Sequence, residues 1–379
     1  MNLQNLIFRL RVRFLQCLPV RRHRIVFLSH LGKTYACNPR YICEYLALKF
    51  PGKFDLIWVY DRQQSCKPNL PKGVRAVPFF SYRCLRYINT AGFVISNTRI
   101  SDAFFFKKRK AQRYIQTWHS SLRLKCIEAD ADLGTQYEEF AKRDSSKIDV
   151  IFSGGSFSSN IFRNSFWFKG RIVESGTPRI DWLMNLKEDT IDNIYLKSGL
   201  SKQCKYLLYA PTFRKGGHAD AYLKDFDSLC KALDRRFGGD WKILYRLHPN
   251  LKGNVILNNF TQNVIDMTEY DDIQELLAIS EVLITDYSSS MFDAAFCYKK
   301  CVLYAADFDE YIANERRLYF EVGTLPFPLV HDEKQLVDVI ASFNEEKYRQ
   351  AVSEFMITIG SKESGQSCKT ISDYILDIL

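Results

Sequence analysis

The run RIVFLSHLGKTYACNPRYICEYLALKFPGKFDLIWVY, residues 24 to 60, decides the fold. It opens on an apolar strand signal, RIVFLSH (24 to 30), passes into a helical pattern, NPRYICEYLALKF (38 to 50), and returns to a second strand signal, FDLIWVY (54 to 60). Asn38 can cap that helix, and Pro39 sits in the first turn, where a missing N–H costs nothing. The pattern continues through VRAVPF (74 to 79), GFVISN (92 to 97), YIQTWH (114 to 119), DVIFSG (149 to 154) and RIVESG (171 to 176). A polar segment, roughly 184 to 204, separates the halves. The second half restarts with KYLLYAP (205 to 211), WKILYRLHP (241 to 249), EVLITD (281 to 286) and CVLYAAD (301 to 307). Helical stretches lie near 220 to 237, 271 to 279 and 288 to 298, and residues 334 to 379 read as helical throughout. Short β-rich runs alternating with helices predict parallel sheets wrapped by helices. The expected architecture is α/β, with two Rossmann-like domains and a cleft between them. The segments are a basic amphipathic helix over 1–22, an N-terminal domain over 23–185 and a C-terminal domain over 200–379.

Bulk composition agrees. A chain of 379 residues suits two domains of ordinary size, and 46% apolar with 25% charged residues is the balance of a folded protein. No stretch of 18 uncharged apolar residues occurs, so no span is expected. Arg9, Arg11 and Arg13 interrupt the N-terminal apolar residues, which excludes a secretory signal. The 11 cysteines include no CxxC pair and read as structural thiols in a reducing cytoplasm.

The net charge of +10 suits an anionic membrane, a phosphorylated substrate or nucleic acid. Its placement narrows the choice. Eight cationic residues precede the first acidic one, Glu44, and Leu3, Leu6, Ile7, Leu10, Phe14 and Leu18 fall near helical spacing among them. Such a helix either docks on an anionic membrane surface or packs on its own domain with its arginines solvated. No zinc finger, RNP-like motif or GxxG clamp is present, so nucleic acid is not expected as a partner.

Ligands of parallel α/β sheets bind beyond the carboxyl ends of the strands, and four polar positions stand out there. His119 ends the run YIQTWH and is either a general base or a strand-end histidine bonded to a neighbouring carbonyl. His248, in YRLHPN, can donate to a phosphate oxygen. In YAPTFRKGGH (209 to 218), Thr212, Arg214 and Lys215 follow a strand, and the arginine fork suits a pyrophosphate. In LITDYSSSMFDAAF (283 to 296), Asp286 ends a strand, while Ser288 and Ser289 enter a helix whose N–H groups can meet phosphate. There is no Walker motif, no GxGxxG and no GxSxG. The pairs Asp130/Asp132, Asp225/Asp227 and Asp307/Asp309 are the only candidates for a DxD-type metal site; neither a metal nor a cofactor is expected.

Taken together, SHLGKTYACNPRYICEYL, QTWHSSLRLKCIEAD, NSFWFKGRIVESGTPRID, YAPTFR, YRLHPN, TDYSSSMFDAAF and LYAADFDEYIANERRLYFE resemble the CDP-glycerol glycerophosphotransferase family of teichoic-acid primases, polymerases and capsule-building relatives. The resemblance covers nearly the whole chain. It implies a GT-B-like fold and transfer of glycerol phosphate, or a related polyol phosphate, from a CDP-activated donor to a hydroxyl of a lipid-linked or polymeric glycan, releasing CMP. It implies His119 as the base and Arg214, His248, Ser288 and Ser289 as the pyrophosphate holders, with Asp286 and Asp293 in the same donor-binding segment. It further implies a cytoplasmic enzyme, peripheral at the inner face of the membrane. Ser120 departs from the glycine usual after the histidine, and Asn314–Arg317 lacks the usual RG. The competing readings are a GT-B glycosyltransferase using a nucleotide sugar and a catalytically inactive basic binding module.

Overall fold

The structure is a computed structural model that describes residues 12–63, 67–101, 106–131, 133–212, 214, 222–247, 261–314 and 317–379. It divides into two compact units. One holds the chain up to residue 121 together with 127–182 and 361–379, and the other holds 122–126 and 183–360.

The first unit is built on seven strands: β1 (Arg21–Leu28), β2 (Asp55–Tyr60), β3 (Val74–Pro78), β4 (Ala91–Ser96), β5 (Arg113–Gln116), β6 (Val150–Ser153) and β7 (Arg171–Glu174). Their order is β3-β2-β1-β4-β5-β6-β7, and every neighbouring pair is parallel. A parallel sheet is covered on both faces, so its central strands are apolar at every position. Strand β1 shows this directly. Ile25 and Phe27 pack with Leu56, Trp58, Phe93 and Ile95 on one face, and Val26 and Leu28 pack with Ile57, Val59 and Val94 on the other. Helix Cys37–Lys49 covers the first face through Ile42, Cys43 and Leu46, and helix Tyr82–Thr90 covers the second through Cys84, Leu85 and Ile88. The strands approach closely where β4 begins, since a Cβ on Gly92 would collide with the carbonyl oxygen of Arg22.

The second unit carries six strands: β8 (Cys204–Tyr209), β9 (Asp240–Tyr245), β10 (Val264–Asp266), β11 (Val282–Thr285), β12 (Lys300–Tyr304) and β13 (Leu329–Val330). They lie in the order β10-β9-β8-β11-β12-β13, again all parallel. The edge strands β10 and β13 are three and two residues long, too short for a periodic signal, and the sequence reading passes over both. The expected α/β class with two Rossmann-like units is what the chain forms.

Other boundaries differ from the sequence reading. Residues 334–379 are not one helical stretch but three helices, Glu333–Ala341, Glu345–Thr358 and Ser367–Ile378. The breaks have local causes: Asp332 and Asn344 accept the N–H groups of Gln335 and Lys347 as N-caps, and Gly360 and Gly365 take φ of 60° and 72°. The last helix also groups with the first unit rather than the second. Its Ile371 and Ile375 are fully buried in the cluster that holds Val150 and Phe152. The polar segment 184–204 is largely the helix Glu188–Ser198, closed by Gly199 at φ 70°.

At the N-terminus, residues 1–11, which carry most of the expected basic helix, lie outside the described residues. Residues 12–17 are helical. Val12 and Leu15 are buried, Leu15 within the core of the first unit, while Arg13 and Phe14 are exposed. Arg109 holds the end of this turn by donating to the carbonyls of Gln16 and Leu18 at 2.8 and 2.6 Å. No helix among the described residues is long and apolar enough to cross a membrane.

The C-terminal helix is expected to be integral to the first unit. Replacing Ile371 by Ala removes a side chain of zero exposure, and this is expected to cost about 3 kcal/mol of unfolding free energy in urea titrations. A cost below about 1 kcal/mol, the range of surface substitutions, would show that the helix is not part of that core.

Candidate active site

In the first unit the polar groups gather beyond the carboxyl ends of β1, β4 and β5. The chain leaves β1 through Ser29, His30, Leu31 and Gly32, the last three at positive φ (45°, 58° and 91°). It leaves β4 at Asn97 and β5 through Thr117, Trp118 and His119, with Trp118 at φ 53°. Asn97 is fully buried and ties these ends together. Its side-chain oxygen accepts the N–H of His30 at 2.8 Å, and its backbone carbonyl lies 3.0 Å from Nδ1 of His119.

That last contact decides the chemistry of the ring. A carbonyl oxygen has no proton to give, so Nδ1 of His119 must be the donor. In the neutral ring the lone pair therefore sits on Nε2. Of the two readings open for His119 in the sequence, a base and a strand-end histidine bonded to a carbonyl, the structure shows the bond to a carbonyl. The half-buried ring stacks on Trp118 at 4.4 Å, and the ring of His30 lies 5.6 Å away. His30 ends the run RIVFLSH as His119 ends YIQTWH, so the same strand-end signal was there to single it out. Ser120, the departure from glycine, is 7% exposed, so its side chain is turned inward.

The segment Gly176–Asp181 links this loop to the rest of the unit. Gly176 has φ 79°, and a Cβ there would meet the carbonyl of Lys362 at 2.9 Å. Thr177 donates its N–H and hydroxyl to the carboxylate of Glu363 at 2.8 and 2.9 Å. Arg179 donates to the carbonyl of His119 at 2.8 Å, and Asp181 accepts the N–H of Cys368 at 2.6 Å. Glu363 is 186 residues from Thr177 in sequence and carries no motif of its own, which is why sequence reasoning misses it. Burial pushes its carboxyl up to about 8, against the hydrogen bonds from Thr177, which favour the charged form.

In the second unit the polar groups again lie beyond strand ends, here β8, β11 and β12. Arg214 is 4% exposed, and all five of its N–H donors are engaged. Nε and one terminal nitrogen meet both oxygens of Asp307. The same terminal nitrogen also reaches Asp286 at 2.8 Å, and the other meets the hydroxyl and carbonyl of Thr212 at 2.6 and 3.0 Å. Burial works against the charge, but Asp307 and Asp286 more than offset it and hold the guanidinium above its usual value. The sequence reading gives this arginine fork to a pyrophosphate; here the two carboxylates and Thr212 occupy it. Asp286 also accepts the N–H groups of Thr212 and Tyr287 at 2.9 and 2.6 Å. Tyr287 stacks face to face on Tyr311 at 3.5 Å, with Arg214 beside both rings.

Next to this clamp, the hydroxyl of Ser288 accepts from the N–H and hydroxyl of Ser290 at 3.3 and 2.9 Å. The hydroxyl of Ser289 accepts the N–H of Leu124 at 3.3 Å. Asp293 is fully buried on the helix Ser290–Phe296 and accepts from Gln274 at 2.9 Å. His248 and Lys215 lie outside the described residues. One member of each acidic pair is engaged elsewhere: Asp225 caps the helix Phe226–Phe237, Asp130 accepts from Ser165, and Asp307 holds Arg214. Among the described residues no cluster of His, Cys, Asp and Glu has the form of a metal site.

Each unit is of Rossmann type, a wholly parallel sheet with its polar loops beyond the carboxyl ends of its central strands, where ligands of doubly wound α/β proteins bind. Residues 10–377 match the CDP-Glycerol:Poly(glycerophosphate) glycerophosphotransferase family. The chain belongs to this family of enzymes. It is 31% identical to a teichoic acid poly(glycerol phosphate) polymerase of Bacillus spizizenii, over 98% of this chain and 96% of that one. It is also 31% identical to a teichoic acid glycerol-phosphate transferase of Staphylococcus aureus, over 93% of each. Among solved structures, the wall teichoic acid polymerase TagF superposes with a TM-score of 0.84 at 30% identity, covering 99% of this chain and 95% of that one.

The Glu363 carboxyl makes a pH prediction. Its folded value of about 8 lies above the ordinary 4.5, so the stability it contributes is full below about 4.5 and is lost as pH rises through about 8. Thermal melts of wild type and Glu363→Gln from pH 5 to 9 are expected to show wild type losing ground to the variant as pH rises. A pH-independent difference would contradict the assignment.

Proposed function

We propose that the chain transfers glycerol phosphate from CDP-glycerol to a hydroxyl of a lipid-linked or polymeric teichoic-acid-type acceptor and releases CMP. Family membership across residues 10–377 supports the donor class. The observation that carries the mechanism is the bond between Nδ1 of His119 and the Asn97 carbonyl. It puts the lone pair of the neutral ring on Nε2, and in this reading that nitrogen takes the proton of the acceptor hydroxyl. The hydroxyl oxygen then attacks the phosphorus bearing glycerol, the bond from that phosphorus to the bridging oxygen breaks, and the electron pair leaves with CMP.

The second unit holds the donor in this reading. Thr212, Ser288 and Ser289, with Lys215 and His248, meet the pyrophosphate, and Asp286 and Arg214 fix the backbone at Thr212 and Tyr287. The hydrogen bonds that saturate Arg214 support a positioning role, with the leaving charge met by Lys215 and a protonated His248. The enzyme works in the cytoplasm at the inner face of the membrane, which the exposed Arg13 and Phe14 at the end of the basic N-terminal stretch support.

A donor panel tests this reading. CMP is expected from CDP-glycerol, with CDP-ribitol as the polyol comparison, and no UDP is expected from UDP-sugars. His119→Ala is expected to lower kcat by about 10²–10⁴, the usual contribution of a general base. UDP release without CMP would move the chain to the nucleotide-sugar transferases, and full turnover by His119→Ala would remove the base.

A further inference from the structure

Asn38 looks in the sequence like a helix cap, yet the helix begins at Cys37, and its N-cap, Ala36, makes no side-chain bond. The carboxamide is fully buried and is spent elsewhere. Its Nδ2 lies 3.2 Å from the carbonyl of Thr117 and 3.1 Å from that of Trp118, and its Oδ1 accepts the N–H of Arg179 at 3.1 Å. Arg179 in turn donates to the carbonyl of His119 at 2.8 Å. The consecutive carbonyls of Thr117, Trp118 and His119 are thus met by Asn38 and Arg179, which Asn38 itself links, and the Thr117 hydroxyl also donates to the Trp118 carbonyl at 3.1 Å. Between them Trp118 sits at φ 53°, a conformation that costs a bulky L-residue about 1–3 kcal/mol and persists only where its surroundings over-determine it.

We propose that Asn38 is a positioning residue for the transfer reaction, acting through His119; the proposal rests on His119 being the base. The carboxamide keeps Trp118 in the left-handed region. That backbone conformation aims the Cα–Cβ bond of His119 so that Nδ1 meets the Asn97 carbonyl and Nε2 carries the lone pair. Without the two donors, Trp118 relaxes toward negative φ and the imidazole turns away from Asn97. A misplacement of about 1 Å at a reacting group costs about 10²-fold in rate.

The test is a double-mutant cycle on the full chain, with CDP-glycerol as donor and CMP release as readout. Asn38→Ala is expected to lower kcat by about 10–100-fold, within the cost of such a misplacement, and to leave KM for CDP-glycerol within about twofold. In the His119→Ala background it is expected to cause no further loss, because the two residues act as one unit. Asn38→Asp keeps the volume and the acceptor for Arg179 but removes both donors, so it is expected to match Asn38→Ala and stands in for it should the smaller side chain not fold. Wild-type kcat in either variant, or the same fold-loss with and without His119, would overturn the proposal. Full activity in His119→Ala alone would instead overturn the base.

Discussion

A backbone carbonyl can only accept, and the carbonyl of Asn97 faces Nδ1 of His119 at 3.0 Å. This constraint fixes the tautomer, and with it the nitrogen that can take a proton. Much of the first unit serves that contact. Asn97 is fully buried at the end of β4 and also holds His30 at the end of β1. The loop after β5 is fixed from residues 38 and 179, and residue 179 belongs to a segment anchored by Glu363 and the last helix. Residues as far apart in sequence as Asn38 and Cys368 thus bear on the direction of one ring.

The second unit follows the same logic with charge. Arg214 is buried between Asp286 and Asp307, and its remaining donors go to Thr212. A buried pair of this kind is costly to break, since removing either partner leaves a desolvated charge, on the order of 3–5 kcal/mol. The clamp joins loops from three adjacent strands, β8, β11 and β12, and so sets the backbone on which Ser288 and Ser289 stand. An arginine after a strand suggests a phosphate ligand when only the sequence is read. What the sequence does not display is the competition from carboxylates 72 and 93 residues away.

Legibility in the sequence followed the range of the interactions. The central strands were legible because apolar residues at every position, as in β1 and β2, are the local mark of a sheet covered on both faces. The edge strands β10 and β13 were not, being too short to show a period. His119 was visible as a polar end to an apolar run, but the orientation of its ring was not. Asn38 was read as a cap because caps are local, whereas its partners lie 79, 80 and 141 residues away. Glu363 and the return of the C-terminal helix to the first unit depend on packing across the whole unit, and no local pattern encodes them.

The central claim is that the proton of the neutral His119 ring resides on Nδ1. Nitrogen-15 NMR of the histidine rings at a pH where they are neutral, with His119 assigned by its loss in His119→Ala, measures this directly. The account predicts a protonated-type shift at Nδ1 and an unprotonated-type shift at Nε2. The opposite pattern, with the proton on Nε2, would contradict it, because the bond to Asn97 would not exist and the nitrogen assigned as base would already carry its proton.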